Sequence, residues 1–134
     1  MKAVFHRGRA TRFAMAALAF ALLGCDDALA PFQPEITNAP DNFQFQATGL
    51  TGVTTVVQYT WQNTGTAATV NHSSAVTGGS ALLIIRDAAG TQVYSGNLIP
   101  SGTPTTSSGV AGAWTIHVGL TNTGGTLNFR VQKA

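Results

Sequence analysis

The chain has 134 residues, with seven Lys and Arg, five Asp and Glu and three His, for a formal charge of +2. Four of the cations, Lys2, Arg7, Arg9 and Arg12, precede Phe13; beyond them Arg86, Arg130 and Lys133 face Asp26, Asp27, Glu35, Asp41 and Asp87. That remainder is weakly acidic, which excludes nucleic acid as an electrostatically held partner, and the lone Cys25 excludes an intramolecular disulfide.

Phe13 to Leu23 (FAMAALAFALL) is an unbroken apolar run, about half the ~20 residues a membrane-spanning helix needs. A basic start followed by a short apolar run has the form of a signal peptide. Arginines are never adjacent in it, so it carries no twin-arginine signal. Leu22-Leu23-Gly24-Cys25 follows directly. These four residues resemble the lipobox of bacterial lipoproteins. The resemblance implies diacylglycerol in thioether linkage on Cys25, cleavage between Gly24 and Cys25, and a discarded leader at residues 1–24. It further implies attachment to a membrane of the bacterial cell envelope, with inner and outer membrane left as alternatives. Asp26 is similar to the inner-membrane retention signal of enteric lipoproteins, a rule confined to that group. A competing cut after Ala28-Leu29-Ala30 has the A-x-A form. It lies beyond Asp26 and Asp27, however, and would place Pro31 just after the scissile bond.

Residues 25–41 hold Pro31, Pro34 and Pro40. Proline lacks an N–H and favours extended backbone, so this stretch is expected to be a tether that merges into a first edge strand. The domain proper is expected over residues 42–134. There the pattern has a period of two, the mark of strands with one dry face. Phe43 and Phe45 alternate with Gln44 and Gln46; Val53, Thr55, Val57, Tyr59 and Trp61 alternate with Thr54, Val56, Gln58, Thr60 and Gln62. Asn63-Thr64-Gly65 supplies a turn. Thr66 to Val76 is polar and reads as a weak edge strand. Ala81 to Ile85 (ALLII) is apolar on both sides and reads as a central strand. Asp87-Ala88-Ala89-Gly90 is a hairpin turn, Thr91 to Ser95 returns, and Pro100 to Gly112 is a long loop. Trp114, Ile116, Val118 and Leu120 then alternate with polar residues, Asn122-Thr123-Gly124-Gly125 reads as a turn, and Leu127, Phe129 and Val131 complete what reads as a closing hairpin.

No helical period follows the leader. About eight short strands with frequent turns imply a single antiparallel β-sandwich or jelly-roll-like domain. The run Gly112 to Val118 (GAWTIHV) followed by Gly125 to Val131 (GTLNFRV) resembles the end of the sandwich domains appended to secreted bacterial enzymes, which implies fold and export rather than an activity.

Few residues could carry chemistry. Paired carboxylates would have to come from Glu35, Asp41 and Asp87, of which Asp87 reads as a turn residue. A Ser–His–acid set can be drawn from Ser73 or Ser80, His72 and Asp87, but no G-x-S-x-G elbow accompanies it. His117 falls on an outer row beside Thr115. Asp41, Asn42 and Asp87 are conceivable calcium ligands without the loop density calcium needs, and zinc lacks a Cys/His cluster. Asn71-His72-Ser73 matches a glycosylation triplet by chance. Trp61 and Trp114 fall on inward rows and read as core, while Tyr94 is the better exposed aromatic for a sugar platform. The expected protein is therefore a non-catalytic binding or structural module with no cofactor or metal. It is held to the membrane through lipid on Cys25, with an envelope protein or polysaccharide as partner. A carbohydrate-binding module is the alternative.

Overall fold

The computed structural model describes residues 33–134. Cys25, Gly24, the leader and the first part of the tether lie outside the described residues. The described chain is all-β: β1 (Glu35–Ala39), β2 (Asn42–Asn63), β3 (Ala68–His72), β4 (Ala75–Arg86), β5 (Gln92–Asn97) and β6 (Gly112–Lys133). They form one antiparallel sheet in the order β1-β2-β6-β4-β5, with β3 also on β6. Beta-branched and aromatic residues at alternate positions favour such strands because they fit a pleated, half-buried surface.

Six strands replace the expected eight or so, and the reason is local. Residues 42–47 and 53–62, expected as two strands, belong to one 22-residue strand, β2. Likewise Trp114–Leu120 and Leu127–Val131 are not a hairpin but successive parts of the 22-residue β6. The two pair with each other along their whole length, from Asn42↔Gln132 to Asn63↔Gly112. Bulges interrupt that register between Ala47 and Leu50, between Leu50 and Val53, and between Val53 and Thr55. An extra residue on one strand bends it and sharpens its twist. The expected tether also yields its last part to the sheet, since Glu35–Ala39 pairs with Gln46–Asn42.

β3 and β4 lie end to end along the other edge of β6, with Ser73 and Ser74 between them. The β4 register shifts at the same level as the β2 bulges, between Val76 and Gly78 and again between Gly78 and Ser80. A crease therefore crosses three neighbouring strands. Two glycines there are obligatory. Gly79 has φ +71 and a methyl on it would strike the carbonyls of Thr121 and Asn122; Gly125 has φ +98 and a methyl on it would strike the Ala75 carbonyl. Only glycine takes a positive φ and close backbone contact together without cost.

Folded at the crease, β2 brings its own ends together. The Asp41 N–H donates to the Gln62 carbonyl at 2.9 Å, and the Phe43 and Tyr59 rings are 5.3 Å apart. The inward rows read from the alternation supply much of the core: Phe43, Phe45, Trp61, Trp114, Ile116, Phe129 and Val131 are buried, Val57 and Tyr59 pack partly buried against them, and Leu83 and Ile85 join from β4. At the meeting ends, the Asp41 carboxylate accepts from the Thr64 N–H and hydroxyl and pairs with Lys133 at 3.2 Å.

The Pro100–Gly112 stretch is irregular yet firmly held. The Val70 and His72 N–H groups donate to the Pro104 and Gly102 carbonyls, and Thr106 donates to Ala68. The segment thus lines the outer edge of β3, then crosses to β5, where Ser107 donates to Val93. Covering an edge removes the row of unpaired backbone groups that invites other chains.

Candidate functional site

The residues with catalytic potential are largely used in building the fold. Asp87 receives N–H donors from Val110, Thr91 and Ala89 at 2.8, 2.8 and 3.0 Å. Those donors, Val110 first, hold its carboxyl below the usual 3.8. Asp41 is lowered in the same way, chiefly by the Thr64 N–H. The His72 side chain points inward, is 6% exposed and packs beside Gly102, with Nδ1 buried and unpartnered. Ser73 lies on the opposite, outer side, and Ser80 is exposed. Among the described residues no hydrogen bond joins His72 to Ser73, Ser80 or Asp87, so the drawn triad is not brought together. Among the described residues no three of His, Cys, Asp and Glu converge as cation ligands. Asp41 and Asp87 serve separate loops.

The tryptophans are core residues. Both are fully buried and they meet edge to face at 6.0 Å and 88°. Each indole N–H is satisfied, Trp61 by the Ala39 carbonyl at 3.0 Å and Trp114 by Val110 at 2.7 Å. Tyr94 is only half-exposed. It packs on the core with its ring across Gly96, and burial raises its phenol above the usual 10.0. No open ring platform results from these three side chains.

Two concavities lie on the outer faces, one on each side of the crease. The first, of about 230 Å³, is polar and lined by Gln44, Asn71, Ser73, Asn128 and Arg130. Pairing assembles it: Gln44 and Asn71 both stand opposite Arg130, on β2 and β3 respectively. Arg130 Nη2 donates to Gln44 Oε1 at 3.1 Å, and Asn128 Nδ2 to Ser73 Oγ at 3.4 Å. The Ser73 N–H in turn donates to the Asn128 carbonyl at 3.0 Å.

The second, of about 200 Å³, is lined by Val56, Leu82, Ile84, Arg86, His117 and Gly119. Gly119 is the floor, because Val56 and Leu82 flank it in register and it has no side chain to fill the gap. Val56 is 71% exposed and Leu82 42%. The ALLII run is thus central in its pairing but covered on one face only, which accounts for its apolar residues on both sides. His117 lies on this outer face, as its alternation with Ile116 requires.

No protein-family model matches the chain, and no curated protein matches it in sequence.

Of the five polar lining residues, the alternation places Gln44, Asn128 and Arg130 on outer rows, yet nothing in the linear sequence joins them. Gln44 lies 86 positions from Arg130 along the chain. The available signal was Arg130 itself, one of three cations after the leader.

Proposed function

We propose that this protein is a lipid-anchored lipoprotein of the bacterial cell envelope, carrying a small non-catalytic binding or structural domain. The observation that carries the anchor is Leu22-Leu23-Gly24-Cys25 at the end of the apolar run. In this reading residues 1–24 are removed, Cys25 bears the lipid, and the chain from Cys25 to Pro34 links it to β1. The doubled β2–β6 ribbon then acts as a two-layered, sandwich-like body, supported by the Asp41–Gln62 bond and the Phe43–Tyr59 contact across it. Engagement of Asp41 and Asp87 in loop-holding bonds supports a non-catalytic role, because a general acid or base must be free to reach a substrate.

A second reading, a carbohydrate-binding module, is favoured by the polar concavity around Arg130. It would work through amides, hydroxyls and a guanidinium rather than through a ring platform.

The anchor is tested by mass spectrometry of the N-terminus of the mature protein, with Cys25→Ser alongside. A diacylated Cys25, and a Cys25→Ser chain that stays unprocessed and leaves the membrane fraction, are the expected results. An unmodified N-terminus at Pro31 would overturn the anchor. Turnover of esters, peptides or polysaccharides by the purified protein, lost in His72→Ala, would overturn the non-catalytic role.

A further inference from the structure

We propose that the concavity around Arg130 binds a carboxylate-bearing sugar, a uronic-acid unit of an envelope or extracellular polysaccharide. This deepens the carbohydrate reading above and rests on it.

The three cations of the described residues are used differently. Lys133 is paired with Asp41, and Arg86 donates to the Gly90 carbonyl of its own turn. Arg130 is exposed, and the one hydrogen-bond partner of its side chain among the described residues is the neutral Gln44 Oε1. That bond holds one edge of the guanidinium and leaves further N–H groups of its planar fork turned to solvent, the geometry that takes a carboxylate bidentately.

The surroundings suit hydroxyl groups. Gln44 Oε1 is occupied by Arg130, so its amide N–H₂ remains to donate. Asn128 Nδ2 is occupied by Ser73, so its side-chain Oδ1 remains to accept. Asn71 offers both functions. Neighbouring donors and acceptors are what a sugar hydroxyl, itself both, requires. Gln44, Asn71, Asn128 and Arg130 stand on paired strands, so little side-chain placement has to be created on binding.

Charge selects the class of anion. One cation among neutral groups matches a monoanion. A phosphate monoester carries about −1.5 to −2 and calls for a second cation, but Lys133 is already paired. Glu35 stands on the same face in register with Gln46, itself opposite Asn128, and its charge opposes a dianionic group more than a single carboxylate. At about 230 Å³ the site is smaller than the roughly 300–1,000 Å³ of drug-sized pockets, which fits a single sugar ring. Affinity per site is then low, and many anchored copies on one membrane would supply avidity toward a polymer.

The test titrates the purified full-length protein with trimers of galacturonic acid, with neutral galactose trimers and with inorganic phosphate as comparison arms. Saturable binding of the uronate trimer is expected, weakening as salt rises. Arg130→Ala should lose roughly tenfold or more, as removal of a charge-assisted hydrogen bond does, with an unchanged melting temperature because the side chain is exposed. Arg86→Ala should bind as the parent does. Uronate binding that survives in Arg130→Ala, or a preference for phosphate, overturns the proposal. Equal binding of neutral trimers overturns the acidic specificity while sustaining the carbohydrate reading. Failure of every saccharide overturns both and leaves the lipid anchor, judged by the mass of Cys25, untouched.

Discussion

Trp61 and Trp114 stand opposite each other in the β2–β6 register, and their fully buried rings hold the end of the molecule where β2 meets itself. Truncating a buried large aromatic costs about 3–5 kcal/mol, so Trp114→Ala should lower the denaturation midpoint sharply; an unchanged midpoint would remove Trp114 from the core. The carboxylates near this end give the domain an acid limit. Asp87 has a folded pKa depressed below 3.8 by the Val110, Thr91 and Ala89 N–H groups. Its contribution to stability is therefore complete above that value and is lost as pH falls through the folded pKa, because the unfolded chain takes up the proton first. Asp41 acts in the same direction. The melting temperature should fall steeply below about pH 3.8. Asp87→Asn, which cannot titrate, should melt lower at neutral pH and show a shallower acid decline; parallel curves for the two proteins would exclude Asp87 from this limit.

At the scale of strands, the crease decides the architecture. Gly79→Ala must combine a left-handed backbone, about 1–2 kcal/mol for an L-residue, with collision against two carbonyls, and overpacking adds about 1–3 kcal/mol. A loss of about 2–5 kcal/mol in chemical denaturation is expected. Gly78→Ala is the control, since Gly78 has open space and no positive φ, and should shift stability by no more than about 0.5 kcal/mol. Equal effects of the two would show that the crease does not depend on Gly79. The same region shows where sequence reading stops. Inward and outward rows were legible, because alternation depends only on the pleat. Asn122-Thr123-Gly124-Gly125 looked like a hairpin turn because a bulge and a tight turn recruit the same residues: Asn122 at φ 46 and Gly125 at φ 98 would serve either. What separates the two is the partner strand. β6 continues through this segment because β2 and β4 lie beside it, a long-range fact that no window of residues contains.

For the molecule as a whole, the burial of both tryptophans could be anticipated from their rows. The polar concavity could not be, because it is made by register across β2, β6 and β3. β6 has a further consequence. It is the last of the described strands, and β2, β3 and β4 all pair with it. Asn42 finds its partner at Gln132, and pairings of such sequence separation are slow to form because loop closure comes before any reward. Until β6 has been made, β2 has only the short β1 to pair with and β4 only β5, so the parts of the sheet have no strand to join them. During synthesis the sheet therefore stays open, its parts unjoined, until β6 has been made.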